Sequence, residues 1–346
     1  MRFVAALTTD AACIRRLTVA CRELPHNPLA RVLISPVFAR PSAIEAVRAV
    51  RAELKSVVYF DSGGYYVQQG RIRYEELSSR LLELYEVHQW ADHYVLPDFV
   101  PRSADSDRTV TSKVKATVRE AKLFVRRLPR KLRGKVIPVI HGRSRGDIDR
   151  CLEAYMDLGV STMGFGSLAT GGSGGGSNLM TNGASRLIRY VSETLRGTSI
   201  QLHLFGVGAP GVVGLLSGLG VTSFDSATWM KAAGFGQVFF PFSRSFSFRY
   251  RKGQPFRKGL TRTRLQAVKR LTTHVCAFCV DFERLRGDRL GRMIHNLLSI
   301  VDGAEMAGSM SEASIQRMYA RVSPYYQKRH RALTEERENG GVVNGS

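Results

Sequence analysis

The sequence has little cysteine, few acids for its length and no long hydrophobic run, and each scarcity excludes a class of protein. No run reaches the roughly 18 apolar residues that a membrane-spanning helix needs, so we expect no membrane partner. The N-terminal apolar stretch is short and ends before Asp10, which argues against a secretory signal. The 5 cysteines, an odd number, argue against a disulfide framework and favour a reducing compartment, which predicts a cytoplasmic protein.

The shortage of acids produces the strongest compositional signal. There are 29 Asp and Glu against 51 Lys and Arg, for a formal net charge of +22 and an isoelectric point near 10.3. Such an excess indicates a polyanionic partner, most often nucleic acid. An anionic membrane surface is the competing partner, but no basic helix with a strongly apolar face stands out.

Short apolar, β-branched runs alternate with helical patterns about every 25–40 residues. The alternation predicts a parallel sheet, and eight repeats favour an α/β fold of the (β/α)₈ TIM-barrel type over an open sheet. The eight predicted strands are 31–35, 57–60, 93–96, 135–140, 161–165, 200–205, 221–224 and 237–240.

Polar residues and glycines follow many of these strands, as in the segment Asp61-Ser-Gly-Gly-Tyr65. In a barrel, residues just after the strands converge on one mouth. Two carboxylates facing one pocket suit displacement at a sugar carbon, one as nucleophile and one as proton carrier. The glycines would let backbone amides approach a flat ligand. The alternative is that strand-end residues are caps, and we expect this of at least one. The converging residues are Asp61, Asp98, His141, Gly166, Ser167, Gly206 and Asp225.

A second group of residues has the spacing of metal ligands. A Cys-x-x-Cys turn with one histidine before it and one after it satisfies a closed, structural, tetrahedral Zn²⁺ site. A redox-active cysteine pair is the alternative, but no thioredoxin-like context accompanies it. The four predicted ligands are His274, Cys276, Cys279 and His295.

Two stretches concentrate the positive charge. Lys113–Lys135 has ten cations against one acid, Glu120, and Arg244–Arg270 has ten cations and no acid. Aromatic residues interleave with the cations of the second stretch, which is typical of a nucleic-acid surface. The alternative is a solvated charged face over core phenylalanines. The predicted nucleic-acid contacts are Arg249, Arg251, Lys252, Arg257, Lys258, Arg262 and Arg264.

We expect four segments along the chain: an N-terminal leader at 1–29, the main part of the catalytic barrel at 30–243, a basic zinc-binding subdomain with closing helices at 244–334, and a disordered tail at 335–346.

Five motifs occur in a fixed order: DSGGYYV (61–67), LPD (96–98), GFGSLATGG (164–172), LFGVGAP (204–210) and GVTSFDSA (220–227). Together they resemble the tRNA-guanine transglycosylase superfamily, over roughly residues 30–300. That family exchanges guanine in a polynucleotide for a 7-deazaguanine base on a (β/α)₈ barrel with a zinc subdomain. His274 stands where the family has a first cysteine, a mild change because both residue types bind zinc.

The resemblance implies roles for individual residues. Asp225 would be the nucleophile that attacks C1′ and carries a covalent glycosyl intermediate, and Asp61 would be the general acid/base. Tyr65 and Phe205 would sandwich the base, while Asp98 would bind its polar edge. The full substrate-binding set is Asp98, Tyr65, His141, Gly166, Ser167, Leu168, Phe205 and Gly206.

Departures from the family pattern bear on the polynucleotide. His141 replaces a glutamine, SLATGG lacks the usual final acid, and SATWMKAAGFGQ replaces the segment that follows the nucleophile in the tRNA enzymes. These changes favour the DNA-modifying branch, which inserts a preQ0-like 7-deazaguanine into DNA in bacterial or phage-infected cells. Accessory DNA-opening proteins and a homodimer are further expectations.

Three alternatives remain open. The first is the tRNA version of the same exchange, and the second is a catalytically silent nucleic-acid-binding paralogue. The third is an unrelated barrel enzyme that acts on a phosphorylated metabolite, with the loop 171–177 as its phosphate cradle.

Overall fold

The structure is a computed structural model that describes residues 1–166, 182–248 and 259–339. The chain divides into two compact units. The barrel unit comprises Val4–Val207 and Gly220–Asp225, and the C-terminal unit comprises Met1–Phe3, Gly208–Leu219 and Ser226–Ser346.

A parallel sheet forms the centre of the barrel unit. Its hydrogen-bonded order is β5-β4-β3-β2-β1-β9-β8-β7-β6. The strands are β1 Arg2–Ala6, β2 Arg31–Ile34, β3 Val57–Phe60, β4 His93–Val95, β5 Val136–Ile137, β6 Val139–Ile140, β7 Thr162–Phe165, β8 Gln201–Leu204 and β9 Ser223–Ser226.

The two ends of that order are halves of one strand. Only Pro138 separates β5 from β6, and a proline has no amide hydrogen to give to a neighbouring strand. The β5 half pairs with β4, while the β6 half pairs with β7. The sheet therefore closes on itself, which confirms the predicted TIM-type barrel.

Helices alternate with these strands and cover the barrel. A parallel barrel is buried on both faces, which accounts for the nearly continuous apolar strands. Phe60 and Tyr94 point outward against Tyr85, whose hydroxyl donates to the Val95 carbonyl at 2.7 Å. The helices of this unit are α1 Ala11–Arg22, α2 Pro41–Leu54, α3 Gly64–Gln68, α4 Tyr74–Val87, α5 Asp107–Arg127, α6 Arg130–Arg133, α7 Arg145–Met156 and α8 Asn182–Thr194.

The C-terminal unit is mainly helical. A buried cluster that includes Val238, Phe240 and Leu265 forms part of its core. Its elements are a 3₁₀ turn at Pro210–Val212, α9 Val213–Ser217, α10 Thr228–Gly234, the antiparallel pair β10 Gln237–Val238 and β11 Phe246–Ser247, α11 Arg262–Thr272, α12 Phe282–Gly287, α13 Arg289–Ser309, α14 Glu312–Val322 and α15 Pro324–Asn339. No helix within the described ranges combines the length and hydropathy needed to cross a membrane.

One predicted strand is wrong and one was missed. The sequence predicts 237–240 as the eighth barrel strand, but Gln237–Val238 pairs antiparallel with Phe246–Ser247 outside the barrel sheet. The missing barrel strand is β1, in the segment predicted as a leader, where it pairs with β2. A five-residue run that begins with arginine and contains two alanines has weak β propensity, so pairing with its neighbours, not propensity, makes it a strand.

Candidate active site and metal cluster

Aromatic side chains fill part of the barrel interior below the mouth. The ring of Tyr59 stacks on His93, with centroids 4.4 Å apart, and lies 5.8 Å from His203. Alternate residues of a strand share a face, so Asp61 continues the inward face of Tyr59 and Phe205 that of His203. The strand alternation therefore aims Asp61 at the space above these rings.

The Asp225 carboxylate is held from two neighbouring positions. Its Oδ1 accepts a hydrogen bond from the Gly206 amide at 3.0 Å and lies 3.3 Å from Nε2 of His203. The other His203 nitrogen, Nδ1, lies 2.9 Å from the Ser223 hydroxyl. With Nε2 donating to the carboxylate, Nδ1 accepts from Ser223, and all three side chains are buried. Oδ2 of Asp225 has no hydrogen-bond partner in the described ranges, which leaves that oxygen available for chemistry.

Asp61 has a different environment. Its Oδ2 accepts from the Gly63 amide at 3.2 Å, and Gly63 adopts a left-handed conformation at φ +74° to start α3. Burial raises the pKa of Asp61 to about 7, and the negative charges of Asp225 and Asp98 add to the shift. A carboxyl with a pKa near neutrality can both donate and accept a proton.

Asp98 and His141 form a buried pair. One Asp98 oxygen lies 2.6 Å from His141 Nε2, and the other accepts from the Ser62 hydroxyl at 3.0 Å. A Cβ at Gly64 would lie 2.3 Å from Asp98 Oδ1, and one at Gly166 would lie 2.4 Å from His141 Cε1. These glycines thus make room for the protein's own polar pair, a packing requirement that the sequence motifs did not reveal.

The two rings predicted to sandwich the base, Tyr65 and Phe205, lie in different environments. Tyr65 is half exposed in the first turn of α3. The Phe205 ring covers Gly164, where a Cβ would lie 2.1 Å from Cε2. No ring contact joins Tyr65 to Phe205 among the described residues, so the sandwich stays a prediction. Gly206, which is exposed, donates its amide to Asp225.

Several predicted residues lie outside the described ranges, and others have structural partners. Arg262 pairs with Glu283 at 3.2 Å, and Arg264 lies 5.3 Å from the centre of the Phe246 ring. Phe246 and Phe248 pack against the C-terminal core, as the alternative of core phenylalanines expects. Outside the described ranges lie Ser167, Leu168, the loop 171–177, Arg249, Arg251, Lys252, Arg257 and Lys258.

The C-terminal unit brings the four predicted metal ligands together. One donor atom from each of His274, Cys276, Cys279 and His295 lies within 4.8 Å of the others. The two sulfurs are 3.6 Å apart, and Cys276 Sγ is 3.3 Å from His295 Nδ1. A tetrahedral site with metal–sulfur bonds of about 2.3 Å has sulfur–sulfur edges of about 3.8 Å, whereas a disulfide bond is about 2.05 Å. The spacing suits ligands of one metal ion.

Outer hydrogen bonds orient both histidines. His274 Nδ1 lies 2.7 Å from an Asp302 oxygen, and His295 Nε2 lies 2.9 Å from the Phe239 carbonyl. In each ring the remaining nitrogen is left to face the cluster, as in metal sites whose histidines are oriented by an outer shell. Asn296 holds the backbone of the same residue by accepting from the Phe239 amide at 2.8 Å.

Two functional candidates escaped sequence reasoning. His203 sits inside an apolar strand, IQLHLF, and the available signal was its position two residues before Phe205. Asp302 follows His295 by seven residues, two helical turns along the same face of α13. Both act by orienting another side chain, and such partners have no fixed sequence spacing.

The raised pKa of Asp61 predicts an unusual pH dependence of stability. In the unfolded chain this carboxyl ionises near its ordinary pKa, about 4. Unfolding therefore releases a proton between pH 4 and 7, and the free energy of unfolding falls as the pH rises through that range. Asp61→Asn removes the penalty. We expect its stability relative to the parent protein to rise by on the order of 2–3 kcal/mol from pH 5 to pH 8, measured by urea unfolding.

Asp105→Asn is the matched control. The Arg102 amide and Lys113 outweigh partial desolvation and hold the pKa of Asp105 below its ordinary value, so its titration lies below pH 4. We expect Asp105→Asn to cost the same stability at pH 5 and pH 8. If Asp61→Asn also shows no change between these pH values, the environment assigned to Asp61 is wrong.

Comparisons with known proteins add no family assignment. A scan of the sequence against protein-family models finds no match. A search of curated proteins also finds no similar chain. The resemblance to the guanine transglycosylases therefore rests on the five ordered motifs.

Proposed function

We propose that this protein is a DNA guanine transglycosylase, which exchanges guanine in DNA for a preQ0-like 7-deazaguanine through a covalent aspartyl intermediate. One observation carries the proposal: a restrained carboxylate, Asp225, electrostatically coupled to a carboxyl with a pKa of about 7, Asp61. The barrel supplies both, with Asp225 on strand β9 and Asp61 directly after strand β3. Two carboxyl groups in unlike environments fit a double displacement at a sugar carbon.

The first displacement uses both carboxyl groups. Oδ2 of Asp225 attacks C1′ of the target nucleotide, a C–O bond forms, and the C1′–N9 bond to guanine breaks. The bonding electrons leave with guanine, and Asp61 donates its proton to the departing base. Gly206 and His203 hold Oδ1, so that Oδ2 faces the reacting carbon without rotation.

The second displacement reverses the roles. Asp61, now ionised, removes the N9 proton of the incoming 7-deazaguanine, and N9 attacks C1′. The C–O bond to Asp225 breaks, and the carboxylate returns to its hydrogen bonds with Gly206 and His203. Protons balance over the cycle, because Asp61 ends protonated as it began. A pKa of about 7 suits a group that must give and take one proton at neutral pH.

The Asp98–His141 pair is proposed to bind the polar edge of the base. Both side chains are buried, and their 2.6 Å contact fixes their orientation. A site that fixes hydrogen-bonding groups before binding rejects bases that leave those groups unpaired. Tyr65 and Phe205 are proposed as the two apolar faces for the ring.

The polynucleotide is proposed to be DNA because of charge and motif departures. A net charge of +22 suits a phosphate backbone, and His141 occupies the position of a glutamine in the tRNA enzymes. In duplex DNA the target nucleotide has to leave the stack, at a cost of a few kcal/mol that phosphate contacts offset. Such a reaction belongs in the cytoplasm of a bacterial or phage-infected cell.

The metal is proposed to be zinc. His274, Cys276, Cys279 and His295 would hold the ion with two thiolates and two imidazoles, a closed set that would leave no position for substrate and would stabilise the fold of the C-terminal unit. The cluster serves no step of the exchange.

Base exchange tests the proposal directly. Incubation with a labelled 7-deazaguanine precursor is expected to label duplex DNA, and Asp225→Asn is expected to lower the rate by at least about 10³-fold because an amide is a poor nucleophile. Asp157→Asn, a change at an exposed residue after α7, is the matched control and should retain full activity. Labelling of tRNA alone would favour the tRNA enzyme. No labelling of either would favour a silent paralogue.

Metal analysis tests the zinc assignment. We expect one zinc per purified chain and expect Cys279→Ser to lose it, with a drop in stability of more than about 2 kcal/mol because metal binding is coupled to folding. Cys13→Ser, which removes a partly buried thiol of α1, should keep the zinc and the stability. Iron in place of zinc, or equal effects of the two variants, would contradict the assignment.

A further inference from the structure

Five cations form a straight stripe along α5, a feature that the proposed chemistry does not use. Their successive spacings are 7, 4, 3 and 4 residues, which at 3.6 residues per turn confine them to about 60° of the helix circumference. Four are exposed, and Lys122 is partly exposed. The five residues are Arg108, Lys115, Arg119, Lys122 and Arg126.

The opposite face of α5 is buried in the barrel unit. Val110, Val114, Thr117, Ala121 and Phe124 lie on that face, all at most 2 % exposed. Packing therefore fixes the rotation of the helix and turns the stripe outward. Ser106 caps the first turn by accepting from the Thr109 amide, so the helix is ordered from its first residues.

The stripe is poorly neutralised by the protein itself. Among the described residues, the only acid that pairs with it is Glu120, 2.8 Å from Arg119. Lys115, Arg119, Lys122 and Arg126 follow one another at intervals of three or four residues, the spacing at which like charges destabilise a helix. The stripe thus lowers the stability of the free protein, and a bound polyanion would reverse that effect.

The dimensions of the stripe indicate an extended partner. From Arg108 to Arg126 the helix rises about 27 Å, at 1.5 Å per residue. This is the axial length of about eight base pairs of B-DNA, at 3.4 Å per nucleotide of each strand. A phosphorylated metabolite would span only a small part of that length.

The stripe begins at the mouth of the barrel. Helix α5 follows strand β4 and the segment that carries Asp98, so Arg108 lies at the end of the helix next to the carboxyl ends of the strands. Near it, the Arg143 guanidinium donates to the carbonyls of Arg102 and Asp105 at 2.6 Å, which secures the connecting loop. A polyanion seated on the stripe would run from the mouth along the outside of the barrel.

We propose that the outward face of α5 binds the phosphate backbone of duplex DNA next to the target nucleotide. The inference rests on the proposed function where it refers to a target nucleotide, and it concerns helix α5 of the barrel unit, not the basic segment Arg244–Arg270. Each cation engages a phosphate without reading sequence, so the surface positions the duplex and does not select the site.

The test is the triple variant Lys115→Gln, Lys122→Gln and Arg126→Gln, with binding of a duplex oligonucleotide measured by fluorescence anisotropy across a salt series. Loss of three phosphate contacts is expected to reduce the slope of log affinity against log salt by about 2.7, at roughly 0.9 per contact. Affinity at 0.1 M salt should fall at least about tenfold. The variant should melt no lower than the parent protein, because like-charge pairs are removed.

The matched control is Arg15→Gln, Arg16→Gln and Arg196→Gln, three exposed cations of the same unit outside α5. It removes the same net charge, so equal losses in both triple variants would show a general charge effect and overturn the proposal. An unchanged salt slope in the α5 variant would also overturn it. The proposal would also be overturned if the α5 variant lost binding to phosphatidylserine vesicles while its binding to DNA stayed intact.

These measurements need no incoming base. Stripe-dependent DNA binding without base exchange would support this surface while contradicting the proposed function. Base exchange by the α5 variant at the parent rate, with an unchanged salt slope, would support the proposed function while contradicting this surface.

Discussion

The crowding of three carboxyl groups at one end of a barrel is the constraint on which the rest of the site depends. Asp61, Asp98 and Asp225 are close enough that the charges of the other two raise the pKa of Asp61. Like charges in a partly desolvated space cannot all remain ionised without compensation. The fold therefore has to give each carboxyl group a different environment.

Two of the three carboxyl groups have a histidine and a second hydrogen-bond donor as partners. Asp98 has His141 and the Ser62 hydroxyl, and Asp225 has the Gly206 amide and His203. Asp61 accepts from the Gly63 amide but has no cationic or imidazole hydrogen-bond partner among the described residues, and its raised pKa makes it the group that holds a proton. This division leaves one carboxylate restrained by two hydrogen bonds and one carboxyl group with a pKa near neutrality, the combination on which the proposed two-step displacement relies.

Much of this arrangement could be predicted from the local sequence, and the rest could not. Asp61, Asp98 and Asp225 were predictable because each ends an apolar run, and strand ends of a barrel converge. The metal ligands were predictable because Cys276 and Cys279 have chelating spacing. His203 was not, because its role depends on a neighbouring strand that lies twenty residues away at Ser223. β1 was missed for a similar reason, since pairing on both sides makes a strand of a weak segment.

The proposed covalent bond between Asp225 and the sugar can be detected by peptide-mapping mass spectrometry. Protein mixed with a guanine-containing duplex oligonucleotide, without incoming base, is quenched in acid, digested with protease and nuclease, and mapped. We expect a peptide carrying one abasic sugar–phosphate adduct at Asp225, which disappears when 7-deazaguanine is added. An adduct on another residue, or base exchange with no adduct at any time, would contradict it.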